Sequence, residues 1–234
     1  MIFGTLIIGF LILIYPFLDI KFTKPLKEKK DSYHRMKYFK FVIYSEWIVT
    51  SIILLYVLFN KAATFKDIGL SLPNEIQDKF IGMIIGFCVG LLFLVFILMR
   101  LPFYKKRLDR QVEEIDYLLP TNSVERKWSV FVAITAGICE EIIYRGFVIY
   151  FISSLPFSIS IMPTLVISSI IFGFGHIYQG WKGFVLTTLI GFVLARAYSI
   201  TGSLLFPIIL HIIIDLRSFL SSKKIPKGND VDVT

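Results

Sequence analysis

The chain has 234 residues, 56% of them hydrophobic, and its mean hydropathy is +0.73. Soluble domains contain about 45–50% apolar residues, and the long apolar runs of this sequence leave no room for a soluble domain of any size. The net charge of +8 is concentrated between those runs, so we expect a single all-α membrane domain, a polytopic bundle of transmembrane helices.

Seven apolar segments are long enough to cross a bilayer as helices. The first has no basic start and no small-residue cleavage site, so we interpret it as a retained span rather than a signal peptide. The third carries three glycines at four-residue spacing, which is typical of a face that packs against another helix. The predicted spans cover residues 1–18, 39–59, 80–99, 128–152, 157–176, 181–199 and 203–220.

Lysine and arginine are distributed unevenly among the predicted loops. Segment 19–38 holds seven of them and segment 100–127 another seven, whereas segment 60–79 has three, balanced by three acidic residues. Because cytoplasmic loops accumulate Lys and Arg, we predict a multi-pass cell-membrane protein with its N-terminus outside and its C-terminus in the cytoplasm. Basic loops of this kind contact anionic lipid, so we do not predict nucleic-acid binding.

The second span contains one acidic residue, Glu46, within two turns of its basic end. Long side chains near the end of a span can reach the polar interface. We therefore expect Glu46 to reach toward the interface or to pair with Lys40 or Arg35, and we assign it no catalytic role.

Between the third and fourth spans, segment 103–127 has apolar residues at roughly helical intervals, which predicts an amphipathic helix on the cytoplasmic surface. Pro120, followed by Asn122 and Ser123, predicts a turn and a helix cap before the fourth span. We divide the chain into N-terminal spans with this amphipathic segment, a core of spans and a cytoplasmic tail, all within one structural domain. Their ranges are 1–127, 128–220 and 221–234.

Three ionisable residues stand within six positions of the fourth span: Glu140, Glu141 and Arg145. Charged groups at the centre of a membrane helix cost roughly 2.5–3.5 kcal/mol each, so these need partners, a hydrated cavity or a function. Arg145 follows Glu141 by four residues, the favourable order for an ion pair within a helix. Because successive helical residues diverge by about 100°, we expect Glu140 to remain free and to serve a different site. Small residues on its face predict space for substrate or water: Ala133, Ala136 and Gly137.

Two of the three histidines lie in other predicted spans. Phe172 and His176 are one turn apart in the fifth span, and His211 and Asp215 are one turn apart in the seventh. A buried carboxylate such as Glu140 can take a proton from water, while imidazoles opposite it hold that water or donate to an oxyanion. This set predicts peptide hydrolysis without a Ser or Cys nucleophile.

Other interpretations use the same groups. Glu140, His176 and His211 also suit a zinc site with three ligands. Chains of Glu, His and Asp serve proton-coupled transporters as well. A non-catalytic scaffold or immunity protein that binds a peptide or a sensor partner is a further alternative.

The motifs resemble those of the CAAX protease and bacteriocin-processing family of intramembrane proteases, the Abi or CPBP family, which is similar to type II CAAX prenyl endopeptidases. That family carries Glu-Glu-x-x-x-Arg, Phe-x-x-x-His and His-x-x-x-Asn/Asp on successive helices. The resemblance covers residues 128–216, where the matching positions are Glu140, Glu141 and Arg145, Phe172 and His176, and His211 and Asp215.

The resemblance implies an intramembrane endopeptidase in which Glu140 and His176 activate water. The composition, rich in Ile, Lys and Phe, is typical of a bacterial protein. The resemblance also implies that His211 and Asp215 bind water or the oxyanion, with structural support from Glu141, Arg145 and Phe172. Family members are described both as metalloproteases and as glutamate-dependent enzymes. We favour the second class, with no required cofactor, because a metal-bound Glu140 would leave no obvious base. The implied partners are the lipid bilayer and a membrane-associated peptide or protein, in peptide maturation, bacteriocin immunity or signalling.

Overall fold

A computed structural model describes residues 1–60, 62–72, 115–157 and 159–220, and the regular elements within them are helices. The predicted all-α class is confirmed for this part of the chain. The third predicted span, residues 103–114 of the predicted amphipathic helix and the tail at 221–234 lie outside it. The elements in chain order are α1 (Ile2–Lys29, π-helical at Phe10–Ile14), α2 (Ser32–Phe59), a 3₁₀ turn (Asp116–Leu118), α3 (Ser123–Glu140), the π segment (Glu141–Val148), α4 (Ile149–Ser153), α5 (Ile161–Gly175), a 3₁₀ turn (Ile177–Gln179), α6 (Gly180–Thr201) and α7 (Leu205–Leu220).

Three of the described helices are long and apolar enough to cross a membrane. They comprise Ile2–Lys29, Ser32–Phe59 and Ile177–Thr201, which correspond to the first, second and sixth predicted spans. Helix α5 is a shorter apolar helix. These helices support the prediction of a membrane protein.

Helices α1 and α2 form a hairpin. The loop was predicted to cover residues 19–38, and this prediction is wrong because both helices extend into that segment. Lys30 ends α1 in the left-handed conformation, and the Asp31 side chain caps α2 by accepting a 2.8 Å hydrogen bond from the backbone N–H of His34. The helix continues past residue 18 because Thr23 and Leu26 are buried at helical spacing. The intervening lysines are good helix formers and stay at the surface.

Helix α3 is central to the site, with α2 along one side and α7 along another, while α5 and α6 pack on each other. It begins as predicted, with the Asn122 side chain accepting a 2.9 Å hydrogen bond from the backbone N–H of Glu125. A Cβ added to Gly137 would lie 2.4 Å from Cγ1 of Ile212 on α7. Gly137 therefore admits a neighbouring helix, and the expectation that it leaves space for substrate or water is wrong.

A buried ion pair joins the start of α2 to the start of α3. Nη1 of Arg35 lies 3.1 Å from Oε2 of Glu125, and both side chains are almost fully buried. Burial alone would raise the pKa of Glu125, but hydrogen bonds from Ser32 and Thr121 and the charge of Arg35 bring that pKa below its ordinary value. Arg35 is therefore paired with Glu125 and is not the partner that the sequence predicted for Glu46.

Candidate active site

Four side chains singled out from the sequence converge on one cavity of about 830 Å³. Glu140 ends α3, His176 follows α5, and His211 and Asp215 lie one turn apart on α7. All four line the cavity, so residues separated by up to three helices in sequence meet at one place.

The position of His176 follows from its spacing to Phe172. Its ring nitrogen Nδ1 donates a 3.0 Å hydrogen bond to the Phe172 carbonyl, one turn earlier, at the end of α5. Because a carbonyl only accepts, this contact places the proton on Nδ1. The other nitrogen, Nε2, then faces Glu140 and lies 3.9 Å from its Oε1.

His211 lies between the two adjacent glutamates. Its Nδ1 donates to Oε1 of Glu141 at 2.7 Å, and its Nε2 lies 3.5 Å from Oε2 of Glu140 and 3.8 Å from Oδ2 of Asp215. The expectation that the two glutamates serve different sites is therefore wrong. An imidazole carries a nitrogen on each of two edges, so one ring from α7 can contact both carboxyl groups although they diverge.

The ion pair predicted within the helix is present and buried. Nη1 of Arg145 lies 2.8 Å from Oε1 of Glu141, and the two side chains are 1% and 0% exposed. Arg145 also donates to the Gly191 carbonyl at 3.3 Å, and its guanidinium stacks 4.2 Å from the centre of the Phe172 ring. A buried charge pair persists only when further hydrogen bonds satisfy its remaining groups, and these contacts supply them.

The helix changes geometry directly after Glu140. Residues Glu141–Val148 are π-helical. This conformation is rare in proteins, and where it occurs it is often part of a functional site. The hydroxyl of Ser168 on α5 donates a 2.8 Å hydrogen bond to the Tyr144 carbonyl in this segment. The apolar pattern of the sequence does not distinguish a π helix from an α helix, so this feature was not predicted.

Glu46 also lines the cavity, and the expectation that it pairs near the basic end of its helix is wrong. Its side chain is 3% exposed and lines the cavity together with Glu140. Arg35 is bound to Glu125 instead. The sequence did carry a signal, because Glu46 shares a helical spacing with the buried residues Val42 and Val49, which places all three on one face of α2.

A second acidic residue that sequence reasoning missed is Asp19, on α1. It is 2% exposed and lines the same cavity, as does Tyr38 of α2. Its spacing to the buried residues Thr23 and Leu26 is the signal that would have placed it on the inner face.

Comparison with known families matches the part of the chain that carries the three motifs. Residues 123–217 match the family described as Type II CAAX prenyl endopeptidase Rce1-like. This confirms the resemblance predicted from the motifs. Comparison with curated proteins and with solved structures gave no match. Glu46 and Asp19 lie outside the segment that matches the endopeptidase family.

The zinc interpretation requires side chains arranged so that they can ligate a metal ion. Within 1–60, 62–72, 115–157 and 159–220, no group of three or more His, Cys, Asp or Glu residues is arranged so that it could hold a metal ion. We therefore derive no step through a metal.

Proposed function

We propose that the chain is an intramembrane endopeptidase that hydrolyses a peptide bond in a membrane-associated peptide or protein. One observation carries this proposal: the two oxygens of the Glu140 carboxyl group lie 3.9 and 3.5 Å from Nε2 of His176 and Nε2 of His211. These separations exceed a direct hydrogen bond and suit a water molecule held between carboxylate and imidazole.

In the proposed reaction, Glu140 and His176 hold the attacking water. Glu140 takes a proton from it as the water oxygen bonds to the carbonyl carbon of the substrate. His211, protonated at Nε2, donates to the oxyanion that develops on the carbonyl oxygen. When the C–N bond breaks, the proton on Glu140 passes to the leaving amine nitrogen.

The carboxyl groups around His211 favour the protonated ring that donates to the oxyanion. Glu141 accepts from its Nδ1, and Asp215 lies beside its Nε2, so both favour the positively charged ring. Asp215 thereby helps to bind water or the oxyanion. Glu141 is itself held by Arg145, which stacks on Phe172.

We propose a seven-span bundle in a bacterial cell membrane, with the N-terminus outside and the C-terminus in the cytoplasm. The three apolar helices and the basic segments at 19–38 and 100–127 support this arrangement. The N-terminal spans and the core spans belong to one domain in this proposal, because α1, α2, α3 and α7 all line the cavity. The family match favours substrates with a lipid-modified C-terminus.

The decisive experiment compares the wild type with Glu140→Gln in liposomes that contain membrane-anchored peptides, with mass spectrometry of the products. Loss of a general base lowers turnover by about 10²–10⁴-fold, and the amide keeps the size of the side chain. Glu28→Gln, at an exposed position of α1, is the matched control and should cleave normally. A Glu140→Gln variant with full biological function would instead favour a non-catalytic scaffold or immunity protein.

A further inference from the structure

Glu46 has no role in the reaction described above, although it lines the same cavity as Glu140. It comes from α2, whereas the family match is confined to residues 123–217. Glu46 Oε2 and Glu140 Oε2 are both buried and have no hydrogen-bond partner within the described part of the chain. Such groups are rare in folded proteins and require an explanation.

Contacts on both sides of Glu46 set the register of α2 against α3. Nε1 of Trp47 donates a 3.3 Å hydrogen bond to Oγ1 of Thr135, and Thr50, one turn after Glu46, is fully buried. The approach of Glu46 to Glu140 therefore depends on the packing of two helices and not on one flexible side chain.

The charges around Glu46 are mostly negative. The acidic side chains that line the cavity with it are Glu140, Asp215 and Asp19. The arginines of the neighbouring helices are engaged elsewhere, Arg35 with Glu125 and Arg145 with Glu141. The imidazoles of His176 and His211 lie beside Glu140, on α5 and α7.

Two carboxyl groups that share one buried site do not both ionise, so one of the pair Glu46 and Glu140 keeps a proton. The two imidazoles favour a negative charge on Glu140. The proton therefore belongs on Glu46, which can then donate a hydrogen bond to the Glu140 carboxylate.

We propose that Glu46 is a positioning residue for the general base: its protonated carboxyl group donates a hydrogen bond to Glu140 and turns that carboxylate toward the attacking water. Its role in turnover rests on the proposed endopeptidase function. Glu46 keeps its proton throughout the reaction, because the proton taken from water passes through Glu140 to the leaving amine. The N-terminal hairpin then completes the active site, beyond the segment that the family match covers.

The test compares Glu46→Gln with Glu46→Leu in the purified full-length protein. Glutamine is neutral and can donate the same hydrogen bond, so we expect its kcat to stay within a few-fold of the wild type. Leucine is similar in size but cannot donate, so kcat should fall by about tenfold to a hundredfold, the effect of losing a hydrogen bond to a charged group, with KM unchanged. Val49→Ala, a buried position on the same face of α2 that does not line the cavity, controls for a packing defect and should leave kcat unchanged.

A glutamine variant as impaired as the leucine variant would overturn the proposal, because it would mean that Glu46 acts as an ion. Full activity in both variants would also overturn the proposal for Glu46, but it would not contradict the proposed endopeptidase function.

A second measurement does not depend on activity. At neutral pH, the infrared carbonyl band of a protonated carboxyl group should be present in the wild type and reduced in Glu46→Gln. An unchanged band overturns the assignment of the proton. If the wild type cleaves no peptide but the band is lost in Glu46→Gln, the endopeptidase assignment fails and the hydrogen-bonded carboxyl pair stands.

Discussion

The imidazole of His211 donates a 2.7 Å hydrogen bond from Nδ1 to Oε1 of Glu141, a residue 70 positions earlier in the chain. This bond determines which edge of the ring faces the cavity, because Nε2 is then directed toward Glu140. Glu141 therefore neutralises Arg145 and also orients a proposed catalytic histidine. Glu141 and Glu140 are adjacent in the chain and contact the same imidazole. The carboxyl group of Glu141 orients His211, and the carboxyl group of Glu140 lies beside the Nε2 atom of that histidine.

Removal of either partner of the Glu141–Arg145 pair should strongly destabilise the protein. Glu141→Leu and Arg145→Leu each leave a buried charge without its partner, which costs about 3–5 kcal/mol. The double variant should lose less stability than the sum of the single variants. Unfolding by denaturant in detergent micelles measures these differences. Additive losses in the double variant would show that the two side chains do not depend on each other.

The close approach of α7 to α3 should be sensitive to a single methyl group. Gly137→Ala places a Cβ 2.4 Å from a side-chain carbon of Ile212 and 3.1 Å from its backbone nitrogen, and overpacking of this kind costs about 1–3 kcal/mol. A shift of α7 would also move His211 away from Glu140, so peptide cleavage should fall together with the unfolding midpoint. Gly9→Ala is the matched control, because nothing lies within 4 Å of its added Cβ. Equal behaviour of the two variants would contradict the packing argument.

The Arg35–Glu125 pair predicts a pH dependence of stability. The pKa of Glu125 is lower in the folded protein than its ordinary value, so the folded state is stabilised at pH values above the unfolded pKa of about 4.3. This contribution is lost as the pH falls through the lowered pKa. Glu125→Gln should therefore be less stable than the wild type at neutral pH, with a gap that narrows on acidification. Thermal unfolding between neutral and acidic pH measures the gap, and a gap independent of pH would refute the prediction.

Chelation should leave activity in place if Glu140 acts as a base without a metal. The purified protein is treated with a strong chelator, its metal content is measured, and cleavage of the membrane-anchored peptide is compared before and after. We expect the same turnover in both samples. Activity that disappears on chelation and returns with zinc would instead support the metal-dependent alternative.

The sequence predicted the local part of the site because helix periodicity is a local property. Spacings of four residues placed Glu141 with Arg145, Phe172 with His176 and His211 with Asp215, and each pair is in contact in the structure. The three motifs also indicated the family that residues 123–217 match. The prediction for Glu46 was wrong because it considered only the nearest charges along its own helix.

By itself, the sequence determined that this is an apolar, helical chain and which side chains share a helical turn, since burial of apolar residues and a period of 3.6 residues depend on neighbours in the chain. Only the tertiary structure decided that His211 joins Glu140 to Glu141 and that Glu46 lines the same cavity as Glu140. Those contacts depend on how far α7 and α2 slide and rotate against α3. That register comes from side-chain packing between helices, as at Gly137 and Trp47, and packing between distant segments has no period that a single sequence displays.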